Sequence, residues 1–201
     1  MTLSTYDGLR HEIQVYLDRE DLWEQTRTFI RLAEARHARE LRIREMMRRA
    51  QAPVSSRYIG LPVRFEQMRT LYLLENHRTP LKEVSANEMM KLSRESEGTP
   101  RYFSVHNEIE FDRKPAEEMT VEMQYWARPE PLSDDNPTNT ILQRAPDLYL
   151  YGSLLEAEPW LANDERLELW AQLYTQSRDA INETDRRRSG RLVSRVSGDT
   201  P

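Results

Sequence analysis

The sequence predicts an α+β fold: an antiparallel helical bundle with an inserted antiparallel β module and a disordered basic C-terminal tail. Three observations lead there. Apolar residues recur at three- to four-residue spacing before residue 50 and again after residue 140, the signature of helices with one buried face. Between them the texture changes to alternation broken by turn residues. The last 17 residues hold five Arg against two Asp, with too little apolar content to order themselves. The boundaries expected are 1–55 for the N-terminal helices of the bundle, 56–131 for the β module, 132–188 for the C-terminal helices and 189–201 for the flexible tail.

Residues 6–18 read as an amphipathic helix with Leu9, Ile13, Tyr16 and Leu17 on one side and Thr5 or Asp7 as cap. A longer helix is predicted from about Leu22 to Arg49, with Trp23, Ile30, Ala33 and His37 on one line, ending before Pro53. Met68–Leu74 reads as a buried strand and Leu81–Val84 as its partner after a turn at 77–80. Ser85 and Glu88 have the spacing of a capping box, so a short helix covers Ala86–Leu92. Arg101–His106 and Ile109–Asp112 form a hairpin, and Thr120–Trp126 is a further strand.

Pro129 and Pro131 stop that strand, because each removes a backbone donor and fixes φ. Thr138 or Asn139 then caps a helix starting near Thr140, and Ile141, Leu142, Ala145, Leu148, Tyr149, Gly152 and Leu155 lay an apolar stripe along it. Pro146 lies inside this pattern, so the helix either kinks or restarts there. Asn163 and Asp164 cap a last helix carrying Leu167, Trp170, Ala171, Tyr174 and Ile181.

The 201 residues are 38% apolar and 31% charged, with a mean hydropathy of −0.82, which fits a chain that completes its burial in an assembly and equally one with long exposed helices. Zero cysteines exclude disulfides and thiolate metal sites. No run approaches the roughly 20 apolar residues of a membrane span, and no hydrophobic signal core is visible near Met1, so a soluble protein away from membranes is expected. The net charge of −5 is uneven: residues 53–184 carry 23 acids against 14 Lys and Arg, whereas the tail is basic.

The sequence contains no Gly-rich phosphate loop, no G-x-S-x-G elbow and no H-E-x-x-H. The four histidines are scattered, and the acid pairs 117–118 and 156/158 read as solvated faces, so no catalytic residue, metal site or cofactor is expected. Arg36, Arg39, Arg42, Arg44, Arg48 and Arg49 crowd the end of the long helix. They surround it without interleaved aromatics, which favours a solvated or subunit-contacting face. Phosphate binding by that helix, in a nucleic-acid-binding accessory protein, is the alternative.

One ordered set of features carries more weight than any single motif. It comprises Tyr125-Trp126, Pro131-Leu132-Ser133, Asn139 with Ile141-Leu142, Pro146-Asp147-Leu148-Tyr149-Leu150-Tyr151-Gly152, Leu155, the turn at 163–165, Trp170, Tyr174 and the run from Asp185 to Gly190. Upstream stand a helical start, Leu61-Pro62 and Tyr102 before a hairpin. In this order the chain resembles the bacteriophage adaptor family, the head-completion proteins between portal and tail. The resemblance implies a non-enzymatic virion protein, assembled in the host cytoplasm, twelve copies of which form a ring under the portal protein. Such a ring extends the channel through which genomic DNA passes without sequence-specific binding, and it gives a tail or nozzle protein a platform. It also implies that the C-terminus inserts along the portal, which makes Arg186, Arg187, Arg188, Arg191, Leu192, Val193, Arg195 and Val196 the expected portal-binding residues. The segment from Asp185 onward is then expected to be disordered until a partner orders it.

Overall fold

The computed structural model describes residues 3–75, 77–93, 95–161 and 165–190. The chain forms two compact units, one of Met1–Glu45 with Pro129–Pro201 and one of Met46–Arg128. The predicted helical bundle with a small inserted β module is not what forms. The fold is mixed α/β, and Met46–Arg128 makes a seven-stranded, nearly closed, barrel-like sheet with a core of its own.

The correction begins in the long helix. Helix α1 covers Tyr6–Leu17, with the Thr5 hydroxyl accepting from the Gly8 amide, but α2 covers only Gln25–Glu40. Leu41 is already extended at φ −95° and ψ 139°. Leu41 and Ile43 are both fully buried, a period-two alternation that sits poorly on a helix face. After a 3-10 turn at Arg44–Met46 the chain enters strand β1, Met47–Val54. Arginine's helix propensity suggested a helix here, and tertiary pairing overrode it. Pro53 does not block the strand, because β1 is at an edge of the sheet.

Strands β2 (Tyr58–Gly60), β3 (Phe65–Leu74), β4 (Arg78–Glu83), β5 (Tyr102–Val105), β6 (Glu108–Phe111) and β7 (Met119–Ala127) complete the sheet in the order β1-β7-β3-β4-β5-β6-β2. Strand β7 pairs antiparallel with β1 from Met47↔Trp126 to Val54↔Met119, and on its other side with β3. The sheet is not purely antiparallel: β4 and β5 run parallel, Lys82 opposite Tyr102. Helix α3, Ala86–Leu92, lies between them in sequence, as a parallel pair requires a crossover. Its capping box is formed, with the Ser85 hydroxyl accepting the Glu88 amide and the Glu88 carboxylate accepting from Ser85. Inside the sheet Val54, Leu71, Leu73, Phe103, Ile109, Phe111, Val121 and Met123 form one cluster. Asp112 is buried too, accepting the Arg101 and Tyr102 amides at 2.8 and 3.1 Å and the Arg113 guanidinium at 3.0 Å.

In the helical unit, Asn139 caps α4 (Thr140–Arg144), its Oδ1 accepting the Leu142 amide at 2.9 Å. Of the two readings of Pro146 the restart is observed: Ala145 leaves helical geometry, and Pro146 opens α5 (Pro146–Glu156). Helix α5 contacts α1, α2 and α6 (Arg166–Gly190), so Leu148, Tyr149, Leu150, Ser153 and Leu154 are all buried rather than forming one stripe. Gly152 permits the closest approach: a Cβ there would lie 3.1 Å from His37 Nε2 and 3.3 Å from the Tyr174 ring.

Helix α6 continues to Gly190, so residues 185–190 are helical and the disorder expected from Asp185 onward is not observed there. Arg186 and Arg187 reach back to Glu183 one turn earlier at 2.7 and 2.8 Å, spacings that support a helix end. The Arg188 side chain, together with Arg191, Leu192, Val193, Arg195 and Val196, lies outside the described residues, as does the expected cap at Asn163 and Asp164.

Asn139 does more than cap α4. Its Nδ2 donates to the Glu130 carbonyl at 2.9 Å and to the Tyr149 hydroxyl at 2.7 Å, and that hydroxyl donates to Glu34. Asn139→Ala is expected to cost about 1–2 kcal/mol, from the lost cap and the stranded buried hydroxyl. Asn139→Asp keeps the cap and loses only the amide donors, so its urea midpoint should fall between wild type and alanine.

Candidate partner-binding surface

Two groups of arginines were expected to act, and the fold treats them differently. Of the first group only Arg36 and Arg39 lie on α2. Arg36 bonds Glu156 on α5, its Nε at 2.9 Å, and faces the Tyr174 ring at 5.7 Å, which makes it a packing residue of the helical unit. Arg39 is exposed. Arg42 turns its guanidinium back to the Ala38 and Leu41 carbonyls, at 2.9 and 2.6 Å, where α2 ends. Arg44 is in the 3-10 turn, and Arg48 and Arg49 are on β1. A continuous basic helix over 36–49 therefore does not exist, and the nucleic-acid reading built on it loses its element.

The second group stands at the end of α6. Arg186 and Arg187 are about four-fifths exposed, and their only described ion pairs are those to Glu183 on the same helix. Beneath them the helix is fastened. Asp185, 5% exposed, accepts the Arg44 amide at 2.6 Å and the Arg144 guanidinium at 2.7 Å. Arg144 also reaches Glu45 at 2.6 Å. One turn back, Asn182 accepts the Arg42 amide at 3.1 Å and donates to the Glu40 carbonyl at 3.1 Å. The carboxylate of Glu40 takes the Tyr174 hydroxyl and the Arg178 guanidinium. The Leu41 amide still donates to the His37 carbonyl at 2.9 Å, but the Arg42 and Arg44 amides beyond it are taken by side chains of α6, which pin residues 42–44 to that helix.

The electrostatics follow the geometry. Burial pushes the Asp185 carboxyl up, but the bonds from Arg144 and the Arg44 amide outweigh it and hold the group below its ordinary 3.8. The same bond to Asp185 raises Arg144. Burial, with Glu34 nearby, pushes the Tyr149 hydroxyl well up, and burial likewise raises Glu34. His37 is nearly enclosed between Tyr149, 4.8 Å away edge-on, and Tyr174, stacked at 6.0 Å. Burial lowers its pKa to about 4. The Leu148 backbone weakly favours the charged ring, but neither nitrogen has a partner in hydrogen-bond geometry. The ring is therefore neutral near pH 7.

Sequence reasoning missed the anchors. Asp185 read as the first residue of a tail, yet its spacing of three from Asn182 on a helix, with Tyr174 and Arg178 preceding it on the same side, was the available signal. Arg10 was also missed. It is buried on α1, donating to Thr26 Oγ1 at 3.0 Å and the Trp23 carbonyl at 3.1 Å, with its guanidinium 3.6 Å from the Trp23 ring centroid.

A family model described as SU10 adaptor protein matches residues 4–195, a span that covers all of the second unit and most of the first. The chain belongs to the SU10 adaptor protein family. No curated protein matches it. The chain is thus a phage adaptor and a component of the virion, where it contacts other virion components. Among its described residues no helix is long and apolar enough to cross a membrane. The surface that matters for such a protein is one that meets partners, and the fastened end of α6, with Arg186 and Arg187 outermost, is the adaptor's best-built candidate.

Proposed function

We propose that twelve copies of this adaptor form a ring beneath the portal protein, extend the channel for genomic DNA and present a platform to a tail or nozzle protein. The family match from residue 4 to residue 195 supports the reading, since it runs through the basic segment that follows α6. Helix α6 supplies a rigid lever: Asp185 and Asn182 hold it, so that Arg186 and Arg187 are exposed on an ordered helix. Arg186, Arg187, Arg188, Arg191, Leu192, Val193, Arg195 and Val196 engage the portal. Ordering each residue of an extended segment costs about 1–2 kcal/mol, which a groove on a neighbouring protein offsets. Lateral faces poor in apolar side chains need a template, so the adaptor alone is monomeric or weakly associated.

Mixing the full chain with its cognate portal tests the reading, with copies per portal counted by native mass spectrometry. Wild type is expected to decorate the portal with a full ring. Truncation after Gly190, combined with Arg186→Ala and Arg187→Ala, should abolish decoration and leave the melting temperature nearly unchanged, because Asp185 and its partners remain. A truncated chain that fills the portal normally would refute the C-terminal assignment. A wild-type chain that never forms rings on portal would refute the ring itself.

A further inference from the structure

Glu122 sits where water should reach it and does not. It lies on β7 opposite Gln51 of β1 and Tyr72 of β3, in the rows that alternate with the apolar Val121 and Met123 of the core. It is nonetheless only 5% exposed. Two guanidiniums cover it: Arg78 of β4 bonds its Oε1, and Arg49 of β1 approaches the same oxygen at 3.6 Å. Gln51 Nε2 donates to Oε2 at 3.3 Å, and Arg78 lies 4.1 Å over the Tyr72 ring. Two cations around one anion leave a surplus positive charge, and Arg49 and Arg78 remain 61% and 41% exposed. A buried carboxylate that holds two half-exposed arginines pre-orients their spare N–H donors, so less side-chain freedom is lost when an acidic group arrives.

The same unit supplies the acids. Residues 46–82 hold seven Lys and Arg against two Glu, whereas residues 83–118 hold nine Asp and Glu against five Lys and Arg. In the second segment Glu83, Glu95, Glu108, Glu117 and Glu118 are exposed, while Asp112 is internal and Glu97 and Glu110 are matched by Lys114 and Arg57. Arg49, Glu122 and Arg78 stand on β1, β7 and β4; Arg78 opens β4 whereas Glu83 ends it, and Glu108 opens β6, two strands beyond β4, so position along and across the sheet sets these acids apart from the basic cluster. Two different patches of opposite sign complement each other head to tail, and such a heterologous contact closes into a ring when its rotation permits.

We propose that the Arg49–Glu122–Arg78 face of one copy docks on the exposed acids around Glu83 and Glu108 of the next copy of this chain. The inference takes its setting from the ring reading above and deepens it by naming the lateral contact. A second copy accounts for both halves of the charge separation at once. Duplex DNA would use only the basic half and be repelled by the other.

Charge reversal tests it on the full chain. Arg49→Glu reverses the charge at the more exposed of the two arginines and keeps both Arg78 and Gln51 on Glu122. Glu83→Arg with Glu108→Arg reverses the other side at exposed positions only, so the fold is spared; thermal melts of both variants verify this. Sedimentation velocity at low salt should show weak self-association of wild type that each variant loses by about tenfold or more, and that about 0.5 M salt suppresses. An equimolar mixture of the two variants should restore it, because alternating copies again present opposite charges. On the portal, each variant alone should leave incomplete rings and the mixture full ones. Wild-type-like association of either folded variant would overturn the proposal, as would failure of the mixture to recover or no wild-type association at millimolar concentration. A basic-face variant that loses duplex DNA affinity with self-association intact would also overturn it and assign the face to nucleic acid. Full portal rings from either variant alone sink the docking contact and leave the ring reading standing. The charge pattern holding in solution while wild type forms no portal rings does the reverse.

Discussion

Replacing Asp185 with alanine should lower the stability of the helical unit by about 3 kcal/mol, the lower range for breaking a buried ion pair. The loss is large because the carboxylate satisfies two donors at once, the Arg144 guanidinium and the Arg44 amide, in a place where water barely reaches. It stops short of the upper range because Arg144 keeps Glu45. Arg144→Met combined with Asp185→Leu should recover part of the loss, since an apolar pair of similar volume leaves no charge unpaired. Because the folded state holds the Asp185 pKa below 3.8, its contribution is complete above that value and disappears as pH falls through the folded one. Urea unfolding at pH 7 measures the difference. A midpoint within error of wild type would mean the carboxylate is hydrated and α6 is fastened by other contacts.

Acidification from pH 7 to pH 4 should cost the same unit about 3 kcal/mol through His37 alone, at about 1.4 kcal/mol per pH unit of separation between folded and unfolded pKa values. The sign follows from burial. The enclosed ring has its pKa lowered from 6.5 to about 4, so the unfolded chain takes the proton first. Stability is complete above pH 6.5, falls between 6.5 and 4, and is level below. The groups facing the ring do not cancel this. Tyr149 and Tyr174 are pushed up and stay neutral in acid, and Arg36 keeps its charge and further disfavours the imidazolium. Glu34, raised by burial, works in the opposite sense near its own range and returns a part. His37→Leu should flatten the profile between pH 6.5 and 5. A wild-type profile already flat there would show that the ring finds a partner when protonated.

What was legible in the sequence was local. Thr5, Ser85 and Asn139 announced their helices because a short polar side chain followed by a periodic apolar run has few other uses. Strands β3 and β7 were legible through alternation, and the adaptor family through the order of features along the whole chain. The strand at Met47–Val54 was not. Arg48, Arg49 and Ala50 favour a helix when counted residue by residue, and only eight paired positions on β7, far along the chain, turn them into sheet.

The site residues divide along the same line. By itself the sequence determined the type and approximate place of most helices and strands, the uneven charge and the basic C-terminal run, because these depend on residues within a turn or two of one another. The tertiary structure alone decided that residues 46–128 build a sheet with its own core. It also decided that Asp185 is a buried anchor rather than the start of a tail, that Glu122 is covered by Arg49 and Arg78, and that Arg36 is spent on Glu156. Each of those outcomes joins side chains from segments distant in sequence. Their free energy comes from desolvation and pairing in a particular packed geometry, which residue order near any one of them does not encode.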